Sequence, residues 1–381
     1  MFAHRHNLRV GFVPLIDAAP LVVARELGYF ADEGLNVTLD RQVGWANVRD
    51  KLTAGALDAS HALLGMPLAS QLGRDWFNEP LVGVMTLASG GNAITVGREL
   101  AAAGVNSAAT LARYVRDPHR DPDRPLVFAH VFGCSMHHYL LREWLSAAGV
   151  DPDRDVRLCV IPPAQMPIHL HRHHLDGFCV GEPWNTLAAR KGYGQVVLPT
   201  ADIVPAHPEK VLAVSRPWLE RSGHLVVPLV RALLRACDHC ARPANFPRLA
   251  ELLSDERYVA APVDVVMESL TLDRTLGLTS GGAAARAIRP ADWQMRSFDA
   301  ADTFPSRTHV VWLLDQMIRW GHADPMTDAR GVAAACVDTR HYREAAASMH
   351  VACPDDDYPP MPLRGGQWYR PGHLLDELAT A

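Results

Sequence analysis

The chain lacks the features that would mark it as a membrane protein or a nucleic-acid-binding protein. No apolar run in the sequence is long enough to span a bilayer. The net charge is only -5 and the pI is near 6.4, so charge gives no reason to expect bulk binding to nucleic acids or to membrane surfaces. We therefore predict no direct contact with nucleic acid and none with a membrane.

Cysteine is scarce and odd in number, since the chain has 7 at scattered positions. Such a set is typical of reduced thiols in a cytosol rather than of a disulfide framework. Cys237 and Cys240 have the CxxC spacing, but they fall in the predicted helix 225–241. No second pair of ligands stands near them in sequence, which favours half-buried helix cysteines over a metal or redox site.

Enzyme signatures are also missing, because the sequence has no glycine-rich phosphate loop, no GxSxG elbow and no HExxH motif. Ser135 and His137 are close in sequence, but adjacency does not make a triad. His169 and His173 could share a helix face and bind a metal, although a solvated surface is the favoured interpretation. The sequence thus predicts a protein that is not an enzyme, with no catalytic residues, no cofactor and no metal.

Short apolar segments alternate with helical segments from Arg9 to Leu198. This alternation predicts βαβ units and an α/β fold with mainly parallel sheets. A break at 89–92 predicts a first crossing between two lobes, and the strand 210–214 predicts the return. The expected division is lobe I at residues 8–94 and 211–381, with a mostly helical C-terminal part, and lobe II at residues 95–210.

The segment 177–185 predicts a buried strand that ends at Gly181, with Pro183 in the first turn of a helix. A strand running into a helix start collects free N–H groups at one point, and this arrangement favours anions. On local geometry alone an ordinary strand–helix turn is the alternative.

Four stretches resemble the nitrate- and bicarbonate-binding proteins of ABC importers, and they match in order along the chain between about Arg9 and Gly321. They are Asp17–Gly28, Trp45–Leu52, Pro162–Met166 and His309–Gly321, together with the segment around Gly181. The resemblance implies a two-lobed, periplasmic-binding-protein-like (type II) fold that holds its ligand in the cleft between the lobes.

The resemblance also implies a ligand site of five residues: Trp45, Asn92, His137, Gly181 and Lys210. Asn92 is an inexact match, because the nitrate binders have a glutamine there. Nitrate is a flat monoanion with three acceptor oxygens and no donor, so its site should offer donors and one cation and avoid carboxylates. Taken singly, Trp45 could be core, His137 a helix cap and Lys210 a solvated surface residue.

The N-terminal residues run straight into the predicted strand 8–13 without an apolar signal core, so we expect a cytoplasmic protein. With that expectation the resemblance narrows to cytoplasmic nitrate/nitrite sensors of the NasS type, which hold an RNA-binding antiterminator of the NasT type and release it when ligand binds. The alternative is the substrate-binding component of a nitrate/nitrite ABC transporter. An enzyme on the same fold, such as a thiamin-pyrimidine synthase relative, would need a cofactor-binding lysine or a metal set.

Lys210 stands where the bicarbonate-binding relatives have an acidic group, and this favours nitrate or nitrite over bicarbonate.

Overall fold

The structure is a computed structural model that describes residues 6–73, 77–121, 124–271, 274–275, 287–288 and 300–372. Residues 1–5 lie outside this set, and the expected lack of a signal sequence rests on them. The end of the predicted lobe I, residues 373–381, lies outside it as well.

Ten of the described strands form two five-stranded sheets. The first sheet has the order β2-β1-β3-β10-β4, with β1 His6–Phe12, β2 Leu35–Arg41, β3 Ala59–Leu63, β4 Leu81–Ser89 and β10 Pro208–Ser215. The second sheet has the order β7-β6-β8-β5-β9, with β5 Asn92–Gly97, β6 Leu126–His130, β7 Val156–Val160, β8 Gly177–Gly181 and β9 Gly194–Pro199. Two short hairpin-like pairs are β11 Arg274–Thr275 with β12 Ala287–Ile288, and β13 Met361–Pro362 with β14 Trp368–Tyr369.

The described α-helices cover the sheets and make up most of the chain after β10. They are α1 Ala19–Glu26, α2 Tyr29–Asp32, α3 Trp45–Thr53, α4 Gly65–Gln71, α5 Arg98–Ala102, α6 Ala108–Val115, α7 Met136–Ala147, α8 Met166–His171, α9 Trp184–Arg190, α10 Arg216–Ser222, α11 Val226–Ala241, α12 Phe246–Ser254, α13 Val263–Thr271, α14 Arg307–Arg319, α15 Ala329–Cys336 and α16 Thr339–Ser348. None of them is both long enough and apolar enough to cross a membrane.

Each sheet contains one reversed strand. In the first sheet β1 is parallel to β2 and β3, whereas β10 is antiparallel to β3 and β4. In the second sheet β6 is parallel to β7 and β8, whereas β5 is antiparallel to β8 and β9. The reversed strands are the two that the chain enters from the other sheet without an α-helix in between. The remaining strands run in a common direction, as βαβ units require.

The predicted lobe boundaries at 94/95 and 210/211 each fall inside a strand. β5 begins at Asn92 and belongs as a whole to the second sheet, and β10 begins at Pro208 and belongs as a whole to the first. The crossing before β5 is made by Gly90 and Gly91, which both have positive φ (69° and 82°), a conformation that glycine adopts without steric cost.

The helix α11 illustrates how the helical part of the chain is anchored. Leu229, Leu233, Cys237 and Cys240 recur at helical spacing, and all are buried in the core next to α1 and α16. Burial raises the pKa of the Cys237 thiol to about 12 and raises that of Cys240 as well. The CxxC pair is therefore fully buried rather than half-buried, and its thiols stay protonated at neutral pH.

Candidate functional site

The five residues expected to bind an anion lie together where the two sheets face each other. Asn92 opens β5 and pairs with Gly181 at the end of β8, while His137 lies in the first turn of α7, which follows β6. From the first sheet, Lys210 of β10 places its Nζ 5.6 Å from the centroid of the Trp45 ring. The four side chains are at most 2% exposed, so the cluster is part of the interior between the sheets.

Two site residues differ in local structure from the sequence prediction: Asn92 begins β5 rather than ending the break at 89–92, and Trp45 begins a helix. The sequence pattern predicts a helix over 46–54 with Trp45 on the loop before it, but Trp45 is the first residue of α3, directly after the extended Gly44. The helix start fixes the indole against His61, with ring centroids 5.3 Å apart. The helix start is hard to locate from sequence because its N-cap is Gly44, which has no side chain to form a capping hydrogen bond.

Lys210 is not a free cation, and this corrects the expectation that the site avoids carboxylates. Its Nζ donates to Glu209 Oε2 at 2.6 Å and lies 3.0 Å from Asp17 Oδ2. All three side chains are almost completely buried. A buried lysine needs a negative partner, because an uncompensated charge in the interior is very costly. In this protein the partner comes from the chain itself.

Glu209 connects most of the predicted site residues. Asn92 Nδ2 donates to Glu209 Oε1 at 2.5 Å, and His137 Nδ1 lies 3.7 Å from Glu209 Oε2. His207 Nδ1 lies 3.5 Å from Glu209 Oε1. Burial raises the pKa of Glu209 to about 7, although Lys210 opposes this effect. The carboxyl group is thus balanced between its charged and neutral forms near neutral pH.

The pKa of Asp17 is shifted in the opposite direction. Burial by itself raises its pKa, but the charge of Lys210 and the nearby His61 outweigh burial and lower the pKa to about 2. Its Oδ1 lies 2.9 Å from His61 Nε2. Asp17 is therefore ionised at neutral pH and supplies the permanent counter-charge of Lys210.

His137 is neutral at neutral pH, because burial lowers its pKa well below the usual value and the charge of Lys210 lowers it further. A neutral imidazole carries one N–H donor and one acceptor nitrogen. Among the described residues neither ring nitrogen of His137 has a hydrogen-bond partner, and the same holds for Trp45 Nε1 and Asn92 Oδ1. Buried polar atoms are normally satisfied, so this concentration marks the cluster as a place where a small polar ligand gains hydrogen bonds.

Gly181 keeps space open beside these atoms. A Cβ added there would lie 3.2 Å from Asn92 Oδ1, 3.3 Å from Leu15 Cδ2 and 3.8 Å from Asp17 Oδ2. Even an alanine would therefore be tight, and any larger side chain would enter the cluster.

The sequence does not predict three residues of the cluster: Asp17, His61 and Glu209. Asp17 is visible in the sequence only as the start of the segment that leads into α1, and His61 as a polar residue in an apolar strand. Glu209 directly precedes Lys210, and this neighbouring pair of opposite charges in a buried strand is the signal that could have indicated it.

The other candidate motifs take ordinary structural roles. Ser135 caps α7, accepting from the His138 N–H and donating to the Phe132 carbonyl, which does not resemble a nucleophile paired with a base. His171, His173 and His174 are exposed at the end of α8. In the part of the chain that the structure describes, no group of three or more metal-ligating side chains could hold a metal ion.

Comparison with known proteins identifies the family. Residues 3–254 match the model of the NMT1-like family. The nitrate/nitrite binding protein NrtA of Synechococcus elongatus is 30% identical over 97% of this chain and 83% of its own length. The bicarbonate transport ATP-binding protein CmpC of the same organism is 38% identical over 83% of this chain, but only 45% of CmpC is covered. The chain thus spans slightly less than half the length of the ATP-binding relatives.

The fold comparison agrees with this assignment. The crystal structure of the periplasmic nitrate-binding protein NrtA from Synechocystis superposes with a TM-score of 0.88 at 25% identity, over 99% of this chain and 98% of that one. A ligand-binding component of an ABC-type import system from Staphylococcus aureus superposes with a TM-score of 0.64 at 16% identity. The expected α/β, two-lobed periplasmic-binding-protein fold is confirmed. The chain therefore belongs to the NMT1-like family and is homologous to the nitrate/nitrite binding protein NrtA.

Proposed function

We propose that this protein binds nitrate or nitrite in the cleft between its two sheets and serves as the substrate-binding component of an anion importer. The observation that carries the proposal is the convergence of unpartnered buried polar atoms of Trp45 and His137 beside the Lys210 ammonium. Homology to NrtA over nearly the whole chain supports the same ligand.

The cluster suits a small, flat anion in three respects. The Trp45 indole and the neutral His137 ring each offer an N–H in a buried environment, where hydrogen bonds to a charged acceptor are strong. Lys210 contributes a positive charge that Asp17 and Glu209 hold in position. Gly181 leaves room for the anion next to the backbone. No catalytic role is proposed for any of these groups.

Bicarbonate is a second candidate ligand, and Glu209 is the observation that favours it. Lys210 alone argues against bicarbonate, but Glu209 and the unpartnered Asn92 Oδ1 are acceptors to which a bicarbonate hydroxyl could donate. The name of the relative CmpC refers to bicarbonate transport. We place nitrate and nitrite first because relatives that match along nearly the whole chain are nitrate/nitrite binding proteins.

Isothermal titration of the purified protein with nitrate, nitrite and bicarbonate tests the ligand. We expect nitrate or nitrite to bind more tightly than bicarbonate, and His137→Phe, which removes both ring nitrogens, to weaken the binding of either anion. Lys191→Ala, which changes an exposed cation, is the matched control and should bind like the wild type. Bicarbonate binding at least as tight as nitrate binding would contradict the assignment.

The cellular role and the location remain separate proposals. The import role agrees with the relatives, whereas the sensor hypothesis, in which the protein holds an RNA-binding antiterminator until nitrate or nitrite binds, rests on the expected cytoplasmic location. Cell fractionation of the native protein tests the location, since a periplasmic protein cannot hold a cytosolic regulator. Capture of the regulator that is lost on adding nitrate would favour the sensor, and capture that ignores nitrate would exclude it.

A further inference from the structure

The positive charge of Lys210 is already compensated before any anion enters the cleft. Lys210 lies 2.6 Å from Glu209 and 3.0 Å from Asp17, with all three groups buried. An entering monoanion therefore meets one ammonium group and two carboxylates. Placing a third negative charge in this interior, without compensation, would be strongly unfavourable.

We propose that the cleft binds its anion together with one proton, which Glu209 holds, so that Glu209 decides which anions are accepted. This inference rests on the proposed anion-binding function and describes how that same site works. The Glu209 carboxylate takes up a proton from solvent, no other bond changes, and the neutral carboxyl group then offers the anion an O–H donor in place of a repelling charge.

Glu209 is the group placed to do this, because its two oxygens contact both sheets. Oε1 accepts from Asn92 Nδ2 at 2.5 Å, and Oε2 lies 2.6 Å from Lys210 and 3.7 Å from His137 Nδ1. One oxygen can keep the Asn92 bond after protonation, while the other carries the proton that is offered to the anion.

The other groups around Glu209 do not change charge near neutral pH. The titratable side chains that face it, directly or through Lys210, are Asp17 after β1, His61 in β3, His137 in α7, Cys179 in β8, His207 just before β10 and Lys210 in β10. Burial lowers the pKa of His61 and His137 and lowers that of His207 to about 3, and it raises the pKa of Cys179.

The pKa values of the two acidic side chains in the cluster differ widely. Burial raises the pKa of Glu209 to about 7, whereas the pKa of Asp17 is lowered to about 2 by Lys210 and His61 against the effect of burial. The pKa of Lys210 is raised by Asp17 and Glu209, despite burial. Glu209 is thus the member of this set whose proton occupancy changes in the neutral range.

One available proton sets the specificity of the cleft. It compensates a monoanion such as nitrate but leaves a dianion such as sulfate with an uncompensated charge. Bicarbonate brings its own hydroxyl donor, which can hydrogen-bond to the ionised Glu209, so its binding should need less proton uptake from solvent. The number of protons taken up on binding therefore distinguishes nitrate binding from bicarbonate binding in the same cleft.

The test is titration of the full-length protein with nitrate at a series of pH values, in buffers of different ionisation enthalpy. With a Glu209 pKa of about 7, we expect the nitrate Kd to increase about tenfold between about pH 6 and pH 8, with uptake of about one proton per nitrate at the upper end. Glu209→Gln should bind nitrate with a Kd that changes less than about twofold over this range.

Glu99→Gln, which alters an exposed carboxylate of the second lobe, is the control and should keep the wild-type pH dependence. Nitrate binding without proton uptake would overturn this inference and leave the proposed function standing. Failure to bind nitrate, nitrite or bicarbonate at any pH would overturn the proposed function itself. If Glu209→Gln does not fold, the proton count of the wild type still decides the question.

Discussion

Glu209 Oε2 accepts a hydrogen bond from Lys210 Nζ at 2.6 Å although the two residues are neighbours in β10, whose side chains would alternate between faces in a regular strand. The pairing of β10 with β4 shifts register on both sides of Lys210, between Pro208 and Lys210 and again between Lys210 and Val211. This irregularity lets both charged groups enter the same cluster.

Lys210→Ala should abolish measurable nitrate binding and also destabilise the protein. Its removal leaves Asp17 buried without its counter-charge, and breaking one side of a buried ion pair costs about 3–5 kcal/mol. Asn92→Ala removes a neutral donor and should weaken binding by about 0.5–1.5 kcal/mol, roughly 2- to 12-fold. Titration and urea denaturation measure the two effects, with exposed Lys191→Ala as the control. Equal losses of affinity for Lys210→Ala and Asn92→Ala would remove Lys210 from the site.

Trp45→Phe should weaken anion binding more than it weakens the fold. The indole N–H has no hydrogen-bond partner among the described residues, so its loss leaves no protein group unsatisfied, and a phenyl ring keeps contact with His61. A hydrogen bond to a charged acceptor contributes about 1.5–3 kcal/mol, which corresponds to roughly 10- to 150-fold in Kd. Titration and thermal unfolding without anion test this. Trp368→Phe, at an exposed tryptophan, is the control, and unchanged affinity in Trp45→Phe would exclude the indole as a donor.

Gly65→Ala should interfere with the approach of the two lobes. A Cβ at Gly65, the first residue of α4, would lie 1.7 Å from the Cys134 carbonyl oxygen of the opposite lobe. Overpacking typically costs about 1–3 kcal/mol, so we expect roughly 5- to 150-fold weaker nitrate binding. Small-angle X-ray scattering with nitrate should give a larger radius of gyration than for the wild type. In Gly83→Ala the new Cβ makes only ordinary contacts at 3.5 Å, and this variant should behave like the wild type.

Acid should destabilise the protein below about pH 6.5 through its buried histidines. Burial lowers the pKa of His130 to about 4, of His138 to about 2 and of His207 to about 3. The unfolded chain therefore binds more protons than the folded protein as the pH falls below 6.5, and the free energy of unfolding decreases. Glu209, whose pKa is raised, opposes this with one proton. His61, His137 and His309 add to this uptake, because burial lowers their pKa values as well. The net uptake therefore exceeds about two protons, and the slope exceeds about 2.7 kcal/mol per pH unit near pH 5.5.

Urea denaturation at several pH values between about 5 and 7 measures this slope. His130→Phe keeps an aromatic ring stacked on His138, whose own ring lies 4.3 Å from that of His130, but it removes one titrating group. The slope should decrease by about 1.36 kcal/mol per pH unit. A stability that does not change between pH 7 and pH 5 would contradict the assignment of these histidines as neutral in the folded protein.

The sequence by itself determines the α/β alternation, the two crossings and the membership of Trp45, His137, Gly181 and Lys210 in one cluster. The alternation follows from local periodicity, and the cluster follows from motifs that match the family in order. For the same reason the helix α11 is visible in the sequence, whereas the full burial of Cys237 and Cys240 is not, since the sequence predicts half-buried cysteines. These features depend on neighbours a few residues apart, which a sequence displays directly.

Only the tertiary structure decides the electrostatics of the cleft. Asp17 and Lys210 are far apart in sequence yet lie 3.0 Å apart, and Glu209 turns toward Lys210 because the strand is irregular at that point. Residue types alone therefore suggest a cationic site free of carboxylates. Contacts between segments that are distant in sequence decide whether a buried lysine faces an empty cleft or its own counter-ions. These contacts place Glu209 where we propose that it takes up a proton when the anion binds.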